Sequence, residues 1–114
     1  MPSSFDLILK NGKCFIDGQL KTTDIGISDG IIKSIGKIEK TSNEKIIEAN
    51  NLVVLPGIID TQVHFREPGS TDAEDLESGS RAAVLGGVTS LFEMPNTNPP
   101  TSNLVEFEKK LQLA

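Results

Sequence analysis

The fold is decided by residues 55–69, which have the sequence LPGIIDTQVHFREPG. Side chains alternate between the two faces of a β-strand, so this order predicts a buried strand with one polar and one apolar face. The polar face carries Asp60, Gln62, His64 and Arg66. Burying such groups without partners costs several kcal/mol each. Because the stretch begins and ends at a Pro-Gly pair, it is typical of a strand that leads into an active-site loop.

The residues that follow predict the order strand, helix, strand, helix. Thr71 and Glu74 have the spacing of a capping box, and apolar residues then recur at helical spacing until the Gly-Gly pair at 86–87. A second strand is predicted over 88–94 and a proline-rich loop over 95–100. This order implies parallel strands and an α/β architecture.

A second helix is predicted to begin at Ser102 or Asn103, either of which can cap it. Glu106 and Lys110 are expected to form an i,i+4 ion pair on its surface. Its apolar face, expected to pack in the core, consists of Leu104, Phe107 and Leu111.

Residues 1–54 predict a β-meander of short strands with no helix. Asp17-Gly18 and Asp29-Gly30 are strong hairpin signals, because both positions of each pair tolerate a positive φ. Asn11-Gly12 is expected to end the first strand. Further strands are predicted over 44–48 and 51–54.

The composition is that of a globular domain, with 114 residues of which 37% are hydrophobic and 24% charged. No run approaches the roughly 20 apolar residues of a membrane span, and no secretory signal is visible. A net charge of −5 argues against nucleic acid and anionic membranes as partners. Cys14 is the single cysteine, so we expect it to be a packing residue in a reducing, cytoplasmic compartment.

Three segments together resemble the dihydroorotases, within the amidohydrolase superfamily of metal-dependent hydrolases. Residues 60–69 resemble the family signature Asp-x-His-x-His-x-Arg, with Gln62 in place of the first histidine. Residues 74–89 and 94–100 match the family as well, and the hairpin over 28–36 resembles its small β domain.

The resemblance implies an α/β fold in two parts. A small β-sandwich-type domain, part of a composite sandwich, is expected over 1–54, and the start of a TIM-like barrel over 55–114. A complete barrel needs roughly 250 residues, so we expect the first two βα units of a longer enzyme. An uncovered sheet edge and uncovered apolar faces then predict a second half that is poorly ordered or aggregates.

The resemblance also implies roles for three side chains. His64 is expected to bind metal, namely zinc as one or two ions, because imidazole supplies a neutral nitrogen ligand. Arg66 and Asn96 are expected to bind a substrate carboxylate, which arginine can pair with in bidentate fashion. The structural alternatives are a salt bridge for Arg66 and an Asx-turn for Asn96. No catalytic residue is expected in this chain, since the family's catalytic aspartate and remaining ligands would lie beyond Ala114.

Gln62 is a doubtful metal ligand, because a carboxamide offers only a weakly basic oxygen. Three outcomes are open: a site with one zinc, a hydrogen bond from Gln62 to a metal-bound water, or a non-catalytic relative. Asp60 is expected to orient a neighbour by hydrogen bonding.

The leading hypothesis for the intact protein is the reversible conversion of N-carbamoyl-aspartate to dihydroorotate in pyrimidine biosynthesis, with this chain alone inactive. One alternative is a non-catalytic partner of aspartate transcarbamoylase, as Gln62 suggests. Another is an allantoinase- or hydantoinase-type cyclic amidase, against which Arg66 argues. The expected partners are a small-molecule substrate and either a second copy of the chain or aspartate transcarbamoylase.

Overall fold

The computed structural model describes residues 4–39 and 44–114. They form two compact units that divide between Pro56 and Gly57. The sequence had placed the boundary two residues earlier, between positions 54 and 55.

The first unit contains one five-stranded sheet. Its strands are β1 (Leu7–Ile16), β2 (Gln19–Ser28), β3 (Ile31–Gly36), β4 (Lys45–Glu48) and β5 (Val53–Val54). Strand β1 is central: β2 pairs with it antiparallel, whereas β4 and β5 pair with it in parallel. The predicted meander is therefore right only for the β1–β2–β3 hairpins, whose turns have positive φ at Asp17, Gly18, Asp29 and Gly30 as expected.

Strand β1 continues through Asn11-Gly12, so the predicted break there is wrong. The pair forms a bulge instead: the register with β2 shifts between Leu9 and Gly12, and Asn11 has φ +60°. The Asp24 carboxylate accepts the backbone N–H of Asn11 at 2.9 Å. A side chain from the neighbouring strand thus satisfies the amide that the bulge takes out of the ladder.

Asp24 is the polar centre of this unit and is only 4% exposed. Its carboxylate also accepts from Lys10 Nζ at 2.8 Å and from the backbone N–H of Ile38 at 2.9 Å. Burial alone would raise the pKa of Asp24, but these three partners outweigh it and lower the pKa below its usual value. Burial, and secondarily the charge of Asp24, raises the pKa of the nearby Cys14 thiol.

The second unit has the predicted order of two βα pairs. Its elements are β6 (Ile58–Val63), α1 (Leu76–Leu85), β7 (Val88–Glu93) and α2 (Leu104–Leu113). Strands β6 and β7 pair in parallel, which confirms the α/β architecture.

Helix α1 begins later than predicted. Its N-cap is Asp75, whose side chain accepts from Ser78 N at 2.7 Å, while Ser78 Oγ accepts from Asp75 N at 3.1 Å. The capping box expected at Thr71 and Glu74 is therefore wrong, because the reciprocal Asp-Ser pair four positions later satisfies the first amides. The Ser78 hydrogen bonds lower the pKa of Asp75. The helix ends as predicted, with Gly87 at φ +87°.

Helix α2 is capped by Asn103, one of the two residues predicted, which accepts from Glu106 N at 3.0 Å. The expected Glu106–Lys110 pair is absent: Glu106 pairs with Lys109 at 2.9 Å, and Lys110 turns inward to pair with Glu93 of β7. Lys110 is itself buried and pairs with Glu93, whereas Lys109 is exposed and pairs with Glu106.

The apolar face predicted for α2 is not packed in a core. Leu104, Phe107 and Leu111 are all more than half exposed. Phe107 and Leu111 line an open cavity of about 470 Å³ instead. In the described residues, Lys110 of α2 pairs with Glu93 of β7, but the apolar side chains of the helix stay largely uncovered.

Strand β6 was predicted to be buried, and this is wrong for the described chain. Ile58 is 57% exposed and Ile59 61%. The reason is that, among the described residues, β6 has a single neighbouring strand and α1 packs mainly against β7, so both faces of β6 stay largely uncovered. No helix in the described part of the chain is long and apolar enough to cross a membrane.

Replacing Asp24 with Asn should weaken the first unit at neutral pH. Because folding lowers the pKa of Asp24, its contribution is present above the ordinary pKa and is lost as the pH falls through the lower folded value. Loss of the charged hydrogen bonds should cost about 2–3 kcal/mol, so the exchange protection of β1 and β2 amides should fall about 30- to 150-fold at pH 7.

The control is Asp17→Asn, the same chemical change in an exposed turn where Asn tolerates the positive φ. It should leave protection within a few fold of the unmodified chain. The effect of Asp24→Asn should shrink at pH values near 3. Equal protection in the two variants at pH 7 would contradict the role given to Asp24.

Candidate active site

Phe65 anchors the segment after β6 to helix α1. Its ring is buried, with 8% exposed, and a Cβ added to Gly79 of the helix would lie 2.5 Å from it. Gly79 therefore gives the ring the room to approach the helix backbone. His64 and Arg66, on either side of Phe65, are both exposed. The anchor thus leaves two polar side chains accessible.

The loops that follow β6 and β7 are joined through their backbones. Met94 N donates to Val63 O at 2.8 Å where the strands end, and Asn98 N donates to Pro68 O at 3.0 Å. Gly69 has φ +119°, and a Cβ there would lie 2.6 Å from the carbonyl oxygen of Asn98. The two loops therefore pack as one rim, which we call the β6–β7 rim (residues 64–69 and 94–98).

The rim brings His64 and Asn96 together. His64 Nδ1 lies 2.8 Å from Asn96 Oδ1, although the two residues are 32 positions apart in the chain. Both side chains are exposed. An imidazole and an amide thus meet at the carboxyl ends of two adjacent parallel strands, the end at which α/β folds place their sites.

The other predicted residues lie on the same stretch without side-chain partners. Within the described residues, Arg66 forms no ion pair and the Gln62 carboxamide no hydrogen bond. The Asp60 carboxylate accepts the backbone N–H of Gln62 at 3.0 Å. The Glu67 carboxylate accepts the backbone N–H of Leu76 at 2.8 Å and ties the rim to the start of α1.

Among the side chains of the rim, His64 is the one suited to bind a metal ion. With Nδ1 engaged by Asn96, His64 Nε2 is free of hydrogen bonds to described residues, and an imidazole nitrogen suits a divalent ion. No group of three His, Cys, Asp or Glu side chains that could hold a metal occurs among residues 4–39 and 44–114. His64 therefore fits a metal, but the described part of the chain does not complete a metal site.

Parallel βα units with a polar cluster beyond the strand ends are typical of α/β folds that carry a site at this edge of the sheet. Residues 53–112 match the model of the amidohydrolase family. The chain belongs to this family.

Individual relatives differ in their named activities. The chain is 45% identical to a dihydroorotase of Methanothermobacter thermautotrophicus over 96% of its own length and 24% of the relative's. It is 42% identical to an allantoinase of Rubrobacter xylanophilus over 98% of its own length and 25% of the relative's. An L-hydantoinase structure from Arthrobacter aurescens superposes with a TM-score of 0.83 and 31% identity, over 96% and 25% of the two chains. The chain thus spans about a quarter of the length of these relatives.

Two contacts that build the rim were missed in the sequence. The fit of Phe65 against Gly79 gives no periodic signal, although a glycine inside a predicted helix marks a possible close approach. Gly69 stands in a Pro-Gly pair, which indicates a turn but not its neighbour Asn98. Both contacts join residues more than ten positions apart, and no local pattern encodes them.

Replacing Gly69 with Ala should disturb the rim. The methyl group would meet the backbone of Asn98, and φ +119° disfavours any L side chain. We expect the NMR signals of the His64 ring and the Asn96 side-chain amide to shift or broaden. The matched control is Gly87→Ala, which also has a positive φ (+87°) but no atom within 4 Å. It should cost about 1–2 kcal/mol in stability and leave those two signals in place; equal shifts in both variants would refute the packed rim.

Proposed function

We propose that the protein carrying this chain is a dihydroorotase-type cyclic amide hydrolase, which interconverts N-carbamoyl-aspartate and dihydroorotate in pyrimidine biosynthesis. The two units would be its small β domain and the first two βα units of its barrel. The observation that carries the proposal is the meeting of His64 with Asn96, with Arg66 two residues further along the same segment.

Arg66 would bind the substrate carboxylate. Its guanidinium is exposed and has no ion-pair partner in the described residues, so it is available to an anion. Asn96 can assist, because its oxygen is engaged by His64 while its NH₂ group still has two hydrogens to donate. A fork of guanidinium and amide donors suits a planar carboxylate.

His64 would serve as one ligand of a zinc site of one or two ions. A zinc ion, when bound, supplies a Lewis acid for the amide carbonyl and lowers the pKa of water to about 7. His64 holds its ring by the bond to Asn96, whereas Gln62 is fixed only through its backbone. We therefore propose a metal site altered at position 62, with His64 as the contribution of this segment.

Two other functions have an observation in their favour. The similarity to an allantoinase and to an L-hydantoinase favours a different cyclic amide as substrate. Gln62 favours a non-catalytic role, such as a partner of aspartate transcarbamoylase. Arg66 favours the dihydroorotase hypothesis. Among dihydroorotate, allantoin and the hydantoins, only dihydroorotate has a carboxylate on its ring with which the guanidinium can pair.

The test is a substrate panel of dihydroorotate, allantoin and a hydantoin with the full-length protein and with Arg66→Lys. Lysine keeps the charge but loses the bidentate geometry, so kcat/KM for dihydroorotate should fall about 10- to 100-fold, mainly through KM. The control is Arg81→Lys on the surface of α1, where the exposed pair with Glu77 spans 3.6 Å; it should retain full activity. Turnover of allantoin or the hydantoin alone would reject the dihydroorotase assignment.

A zinc titration tests whether position 62 contributes to the metal site. Gln62→His would place a second imidazole two residues before His64, at the end of β6, so the zinc affinity of the chain should rise by about tenfold or more. Thr61→His is the control, since it puts the second imidazole on the opposite face. Competition with a chromogenic chelator measures both. Equal affinities would show that position 62 does not face the metal, and a full-length native protein purified without metal would favour the non-catalytic role.

A further inference from the structure

The contact between His64 and Asn96 indicates which imidazole nitrogen carries the hydrogen. Asn96 presents its amide oxygen, Oδ1, to His64 Nδ1 at 2.8 Å. An amide oxygen only accepts, so the hydrogen must lie on Nδ1. In a neutral ring the lone pair is then on Nε2, the nitrogen that no described residue contacts by a hydrogen bond.

The backbone around Asn96 is held on both sides. Before it, Met94 N is bonded to Val63 O at the end of β6. After it, Thr97 Oγ1 donates to Pro99 O at 2.9 Å and lies 3.1 Å from Thr101 Oγ1. The acceptor therefore comes from a braced loop, although its side chain is exposed.

We propose that Asn96 is a positioning residue for His64. Its amide oxygen accepts the Nδ1 hydrogen, selects the tautomer with a bare Nε2 and holds the ring at one orientation. Histidines that bind metals are commonly oriented through their second nitrogen by an acceptor of this kind. The inference concerns two side chains of this chain and does not depend on the substrate.

One consequence does rest on the proposed function. A single amide would then do two things, since its oxygen orients the imidazole while its NH₂ group remains for a substrate carboxylate. Asn96→Asp separates the two, because aspartate keeps an acceptor for Nδ1 but loses both donors and adds a charge that repels a carboxylate.

The test is NMR of the 114-residue chain labelled with ¹⁵N, at a pH of about 9, where an ordinary imidazole is neutral. The chain contains one histidine, so its ring signals need no assignment. Correlations from the two ring nitrogens to the carbon-bound ring protons distinguish the tautomers. We expect the Nδ1–H form to predominate in the unmodified chain.

Variants at position 96 test whether the Asn96 side chain causes this preference for the Nδ1–H form. Asn96→Leu has a similar size and no acceptor, so the ratio of the Nδ1–H to the Nε2–H form should fall about fivefold, as loss of one hydrogen bond implies. Asn96→Asp should restore the Nδ1–H form. Asn98→Leu is the matched control, because Asn98 lies in the same loop and its side chain makes no hydrogen bond to a described residue; its ratio should be unchanged.

The inference fails if the Nε2–H form predominates in the unmodified chain, which decides the question even where a variant does not fold. It also fails if Asn96→Leu leaves the ratio unchanged. In the full-length protein, Asn96→Asp should lose kcat/KM for dihydroorotate while its His64 tautomer stays normal. A normal tautomer with unaltered kcat/KM would reject the substrate role of Asn96 and leave its positioning role intact.

Discussion

The parallel pairing of β6 with β7 is the constraint on which the candidate site depends. A parallel pair brings the carboxyl ends of both strands to one edge, and the Met94–Val63 hydrogen bond closes the pair there. His64 and Asn96 follow these ends and meet across 32 residues of chain. An antiparallel pairing of the same strands would put the two loops at opposite ends, and neither side chain would have a partner.

Below the site, the segment after β6 is fixed by two contacts with α1 that have different chemistry. Phe65 packs its ring against Gly79, and Glu67 accepts the N–H of Leu76 at the start of the helix. The first contact uses apolar burial, and the second satisfies an amide that the helix itself leaves unpaired. The anchors alternate with the exposed residues His64 and Arg66, so the backbone is held on either side of the exposed side chains.

The sequence was sufficient where local rules decide the structure. The Asp-Gly turns, the βα order and the cap at Asn103 followed from turn chemistry and periodicity. It was insufficient where two local candidates compete, as at the N-cap of α1, which is Asp75 rather than Thr71. It was also insufficient where a partner distant in the chain decides the contact. Lys110 pairs with Glu93 and not with Glu106, and the Asp24 carboxylate accepts the amide of Asn11 at the bulge in β1. The same distinction holds for the candidate site. His64 and Asn96 could be named from their sequence motifs, but their mutual hydrogen bond depends on the pairing of β6 with β7, which no local pattern encodes.

The polar side chains at the end of β6 and just after it are supported unequally, and this bears on the identity of the residue at position 62. His64 has an acceptor for its second nitrogen and a buried neighbour that fixes its backbone, whereas the Gln62 carboxamide has no partner in the described residues. A metal ligand gains from an oriented ring because less conformational freedom is lost on binding. A carboxamide has only a weakly basic oxygen, and this one is not held in one orientation, so neither basicity nor orientation favours metal binding. The contacts therefore favour His64 over Gln62 as the oriented side chain, and the hydrogen bond that orients His64 does not involve the side chain at position 62.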